Sequence, residues 1–193
     1  MKKALLGIVF PVILFSFSHL AVGQASSGSP VDPLITATEN GNIVAVRQLL
    51  DNGANIEVRN KGSFTPLMLA SYAGEVDIVK LLLERGANVE AKNRDGDTAL
   101  VFAAASDTSE VSASVEVLKM LLAKGANIEA ADNDGWNALL FAAAAGKTEV
   151  VALLLANGAN INAKDSRGAT ALIVALNKNK TEVAKLLLQK GAH

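Results

Sequence analysis

Cysteine is absent from this 193-residue chain, and histidine nearly so, with His19 and His193 near opposite ends. Without cysteine there is no disulfide, no thiolate metal site and no cysteine nucleophile. Two histidines so placed cannot supply a Ser–His–Asp triad or a His-ligated zinc. Aromatic residues make up only 4% of the chain, whereas a β-sandwich would call for more Val, Ile, Tyr and Trp. An excess of positive charge is missing too: the net charge is −1, which gives no electrostatic case for nucleic-acid binding. What the chain has in plenty is apolar sequence rich in alanine and leucine, half of all residues being hydrophobic. That composition predicts a folded protein of small, closely packed helices, and the length suits a single domain.

The N-terminus reads as an address. Lys2 and Lys3 form a basic start, Ala4 to Phe17 is nearly unbroken apolar sequence, and small residues follow at Ala21-Val22-Gly23 and Ala25-Ser26. Cleavage after Gly23 or Ala25 would leave small residues at both recognition positions. Residues 1–25 are therefore expected to be a cleavable signal peptide and 26–32 a linker. The alternative, an uncleaved anchor, is disfavoured by the short apolar stretch and by Pro11 within it. The lack of cysteine excludes a lipoprotein. Paired lysines suit a bacterial export signal, so the expected location is the periplasm, with no membrane attachment after cleavage. Loss of Lys2 and Lys3 would lower the 18 basic residues to 16, against 19 acidic ones, for a net charge near −3.

Beyond residue 32 the chain repeats itself. A Gly-Ala pair recurs at Gly53, Gly86, Gly125, Gly158 and Gly191, at intervals of 33, 39, 33 and 33. In step with it run TPLMLA from Thr65, TALVFA from Thr98, NALLFA from Asn137 and TALIVA from Thr170, together with a recurrent Leu-Leu pair. Each unit reads as two helices. In the second unit, Thr65 caps a helix that opens on Pro66 and ends at Gly74, and a second helix from about Glu75 to Glu84 ends before Gly86. Ile78, Val79, Leu82 and Leu83 form its apolar stripe. One such pair cannot bury its own apolar faces, but stacked copies share a continuous core.

These motifs resemble the ankyrin repeat, whose pattern G-x-T-P-L-H-x-A-A, then G, V-V, L-L and G-A-N, is matched across roughly residues 33 to 193. The resemblance implies an all-α solenoid of paired antiparallel helices with β-turn fingers. Five repeats are expected, at about 33–59, 60–92, 93–131, 132–164 and 165–193, the first and last acting as caps. The chain departs from the family at its histidine, replaced here by Met68, Val101, Leu140 and Ile173. Ser63 stands where the other finger turns have Gly96, Gly135 and Gly168. Six extra residues fall between Ala103 and Val117, where Asp107-Thr108-Ser109-Glu110 reads as a capping box. Either a longer second helix or a protruding loop is expected in the third repeat.

Catalytic chemistry finds no constellation, and neither a cofactor nor a metal is expected. Asp132-Asn133-Asp134-Gly135 looks superficially like a calcium loop, but Ala130 stands where an acid is needed, and the chain is Phe-Ala-Ala-Ala-Ala from Phe141 where the loop needs its glutamate. The finger turn accounts for the same residues. In proteins similar to this one, partners dock on the concave side formed by fingers and first helices. That resemblance assigns partner binding to Phe64, Tyr72, Arg94, Asp97, Asn133, Asp134, Trp136 and Arg167. Exposed Trp, Tyr and Arg dominate interface hot spots, which favours binding over a bland role in stiffening the fingers. The expected function is a non-catalytic, exported, monomeric module that binds another protein as adaptor, protector or inhibitor. The alternatives are a toxin-immunity protein and an effector secreted into a eukaryotic host.

Overall fold

A computed structural model describes residues 31–106 and 111–193. The signal segment with its cleavage points and the capping box at Asp107 to Glu110 lie outside the described residues. Helices pair along the chain as α1 (Pro33–Glu39) with α2 (Ile43–Asp51), α3 (Pro66–Ala73) with α4 (Val76–Glu84), and α5 (Ala99–Ala105) with α6 (Val111–Ala123). They continue as α7 (Ala138–Ala145) with α8 (Thr148–Ala156) and α9 (Ala171–Asn177) with α10 (Thr181–Gln189). Each odd helix also packs on the next odd helix, and each even helix on the next even one, as five stacked repeats require.

The helix starts follow the residues that announce them. Thr65 Oγ1 accepts the Met68 backbone N–H at 3.4 Å, and Asn137 Oδ1 accepts that of Leu140 at 3.1 Å. Gly74 and Gly146 close α3 and α7 in the left-handed conformation, which a side chain would strain. Four of the six extra residues of the third repeat lengthen its second helix: α6 has 13 residues where α4 and α8 have nine.

The core runs the length of the stack, through Leu34, Leu67, Leu82, Leu100, Leu118, Leu139 and Leu154. Truncating a leucine at such a position to alanine costs about 2–5 kcal/mol. Buried alanines at 70, 103, 104, 142 and 143 let the odd helices approach closely. Those helices pack more closely on one another than the even ones do.

The position of the family histidine shows what a neighbour does. Met68, Val101 and Leu140 are buried there, whereas Ile173 in the fifth repeat is 43% exposed, with none of the described helices stacked beyond α9.

A ladder along the opposite loops ties repeat to repeat. Glu57, Glu90 and Glu129 each accept the backbone N–H of an asparagine one repeat on, at Asn88, Asn127 and Asn160, over 2.7–2.8 Å. Asn162 does the same for His193 at 3.3 Å.

Candidate partner-binding surface

Each finger is organised by one Asx residue. Asn60, Asn93, Asp132 and Asp165 turn their Oδ1 inward to accept two backbone N–H groups, two and four residues on, at 2.7–3.0 Å. This is the short polar side chain substituting for a backbone turn. Gly96 and Gly135 occupy the left-handed corner of their turns, with φ of 89° and 82°. They are also pressed against the next finger: a Cβ at Gly135 would lie 3.0 Å from the Ser166 nitrogen. Ser63 holds the same corner with φ of 65°, so the sequence departure left the conformation unchanged. Adjacent fingers are then stitched by the backbone, Asn133 N–H to the Asp95 carbonyl at 2.8 Å and Ser166 N–H to the Asp134 carbonyl at 2.9 Å.

The residue that leaves each turn is Phe64, Asp97, Trp136 or Ala169, one per repeat. The structure corrects the expectation of an exposed indole at this place, since Trp136 is only 7% exposed. Its Nε1 donates to Asp165 Oδ2 at 3.1 Å, and its ring meets Phe141 edge-on with centroids 5.1 Å apart. Trp136 thus joins the fourth finger to the fifth. An indole is large enough to bridge the gap and carries the one N–H that the Asp165 carboxylate can accept from that side. Asp165 also accepts from Arg167 Nη2 at 3.2 Å. Burial pushes the Asp165 carboxyl up, but the Ala169 and Arg167 backbone N–H groups, the Arg167 guanidinium and the indole outweigh it and hold it below the ordinary value.

Asp97 is corrected likewise, being only 9% exposed. Its Oδ2 accepts from Asn93 Nδ2 at 3.1 Å, while Oδ1 is buried with no hydrogen-bond partner among the described residues. Burial first, then the charges of Asp132 and Asp95, push its carboxyl up to about 6, against the opposing Asn93 hydrogen bond and Lys92. Asp132 is also raised, chiefly by burial.

The remaining residues stay open to solvent. Arg94, Asn133, Asp134 and Arg167 are exposed at the finger tips, and Phe64 and Tyr72 are half-buried. Phe64 and Tyr72 both contact Phe102, with centroids at 5.1 Å and 6.3 Å. Phe102 is half-buried and forms the middle of this trio. Its signal was the column Leu69, Phe102, Phe141, Val174, where a ring replaces an aliphatic side chain in the two central repeats. Two hollows lie away from the trio, one lined by Ile43, Arg47, Asp77 and Lys80, the other at the α1–α2 end beside Val31 and Pro33. Among the described residues no group of three or more His, Asp or Glu is gathered as a metal site. No described helix is long and apolar enough to cross a membrane.

The family model for ankyrin repeats (three copies) matches residues 15–93, 34–132, 90–165 and 109–193 in overlapping segments. The chain belongs to the ankyrin-repeat family, whose members are generally protein–protein interaction modules and typically non-catalytic. No curated protein matches the chain.

Proposed function

We propose that this chain is an exported, non-catalytic scaffold that binds another protein on its finger-and-odd-helix face. The observation that carries the reading is the aromatic trio of Phe64, Tyr72 and Phe102, half-exposed on the stack, with Arg94, Asn133, Asp134 and Arg167 exposed at the finger tips. Rings held in place by their neighbours lose little conformational freedom on docking, which is why such residues dominate interfaces. Trp136 and Asp97 belong to the framework that positions this face and are not contacts themselves.

The basic and apolar N-terminal sequence supports export to a bacterial periplasm, where an adaptor, a protector of an enzyme or an inhibitor would meet its partner. A toxin-immunity role would use the same face.

The test is capture from a cell-envelope extract with wild type, Phe64→Ala, Tyr72→Ala and Lys80→Ala, the last on the exposed side of α4. The two ring truncations should weaken a captured partner by about 2 kcal/mol or more, with Lys80→Ala neutral. Equal capture by all four proteins overturns the assignment of the face. Sequencing the N-terminus of the purified native protein tests export separately, and a retained Met1 refutes cleavage.

A further inference from the structure

The two ends of the stack are built differently. In the fifth repeat Ile173, Leu176 and Leu188 are exposed, at 43%, 58% and 56%. Their counterparts in the inner repeats are covered as one helix pair stacks on the next. Ile173 has Met68, Val101 and Leu140 as counterparts, Leu176 has Ser71, Ala104 and Ala143, and all six are buried. Leu188 has Leu83, Leu122 and Leu155, which pack on the core. A terminal repeat ordinarily turns a polar face outward, since water is its neighbour. Here the outer face keeps its apolar residues, and at 176 it places leucine where the others have serine or alanine.

The first repeat is the reverse. None of the described helices stacks before α1 and α2, and an open hollow of about 590 Å³ lies there, with Ala37, Ala45 and Gln48 in its lining. Ala45 stands where the other repeats have the buried Ile78, Val117, Val150 and Val183. Gln48 stands where they have Leu81, Met120, Leu153 and Leu186. One end is thus recessed and polar, the other apolar and full. Charge divides the same way: residues 31–59 hold four acids and two bases, and residues 165–193 hold five bases and two acids.

We propose that copies of this chain associate head to tail, the apolar α9–α10 end of one docking in the α1–α2 hollow of the next. The contact continues the register by which repeats already stack within the chain. Inside one chain, Leu81 lies beside Ile43 and Arg47 of the preceding repeat. Gln48 holds the place of Leu81 in the first repeat, and Thr181 and Lys185 hold those of Ile43 and Arg47 in the fifth. The same register therefore sets Gln48 of one copy against Lys185 of another. Pairing two α9–α10 ends would instead bring two basic repeats together, which like charges oppose. An interface between unlike faces leaves a free face at each end, so a third copy can add to a dimer. Rows of copies that grow with concentration would replace the monomer expected from the sequence. This inference goes beyond the partner-binding reading and does not rest on it, since the aromatic trio belongs to the second and third repeats.

The experiment is sedimentation velocity of the purified protein from about 1 μM to about 1 mM, beside Leu176→Glu and Gln48→Arg. Both replaced side chains are exposed, so each variant should keep its fold, which circular dichroism checks. Should Leu176→Glu unfold, Ile173→Gln takes its place. Wild type should shift to larger species as concentration rises, and less so in high salt. Each variant alone should need about tenfold or more protein to associate. Leu176→Glu keeps its hollow and Gln48→Arg keeps its apolar end, so their mixture should form a one-to-one dimer that grows no further. A wild type that stays monomeric throughout leaves the apolar end to another occupant and overturns the proposal. So does a Gln48→Arg variant that associates as wild type does, because like ends would then be pairing. A mixture that forms no dimer overturns it as well.

Discussion

Two neighbouring joints of one stack use the same backbone to opposite effect. At the fourth-to-fifth joint, Asp165 is buried among four donors and its charge is welcome. At the third-to-fourth joint, Asp132 has the same turn and the same two backbone donors, but the residue one repeat before Trp136 is the acid Asp97, and the Asp132 charge helps to raise its carboxyl. Register, Asx turn and glycine corner are shared, so the difference comes from the side chain at positions 97 and 136. A repeat fixes where a side chain goes, and its chemistry decides whether the place is a clamp or a raised carboxyl.

The largest test of this contrast is Trp136→Ala. Removing a buried ring that packs on Phe141 and satisfies Asp165 should cost about 3–5 kcal/mol in urea unfolding. Trp136→Phe keeps most of the ring and should lose only about 1–2 kcal/mol for the missing N–H. If Trp136→Ala unfolds with a wild-type midpoint, the indole is no clamp and its place among the partner contacts returns.

The same substitution at the two equivalent acids should differ in sign. Asp165→Asn turns an amide toward the Arg167 guanidinium and the indole N–H, and a loss of about 2 kcal/mol is expected near neutral pH. Asp132→Asn reproduces the Asn60 and Asn93 turns and removes a charge beside Asp97, so its stability should match or exceed wild type. Equal losses for both variants would mean that the turn, and not the side chain at 97 or 136, governs the joint.

Acidification separates the joints along one axis. Asp165 has a folded-state value below its unfolded one, so its contribution is present above the ordinary aspartate range and disappears as pH falls through the lowered value. Asp97 has a raised value of about 6, so stability grows as pH falls from neutral toward the ordinary aspartate range. The stability profile of wild type should therefore rise from neutral pH, pass a maximum in the acidic range and then fall. Trp136→Phe should lose part of the acid-side fall, since one donor that lowers Asp165 is gone. A profile that falls monotonically from neutral pH contradicts the contrast.

The smallest effect concerns the corner of the second finger. Ser63 holds a left-handed conformation that its counterparts assign to glycine. Ser63→Gly should stabilise by about 0.5–1 kcal/mol, the strain relieved being partly offset by the freer unfolded chain. A loss of stability would show that the serine side chain contributes more than its strain.

Much of the fold was legible in the sequence because each marker has a local cause. Thr65 and Asn137 cap helices, Gly74 and Gly146 end them, and the period of the leucine pairs places the core. The third repeat's second helix is longer by four residues, over Val111–Ala123, where Val111, Val115 and Leu118 fall at helical spacing. The site was less legible. The burial of Trp136 and Asp97 was not legible, since it depends on how the next finger packs over them. Phe64 remains half-exposed at the equivalent position, while Trp136 finds Asp165 and is covered. The inter-repeat role of Glu57, Glu90 and Glu129 was also hidden, because acidic residues on a repeat read equally well as solvated charge.

By itself the sequence determined the repeat, its register, its helix limits and the departures at Ser63 and in the third repeat. These follow from local conformational preference and from the period of apolar residues. Tertiary structure decided which finger residues face solvent, that Trp136 bonds to Asp165 and that Asp97 is buried. Those outcomes depend on pairs about one repeat apart, whose meeting is set by the packing of one unit against the next.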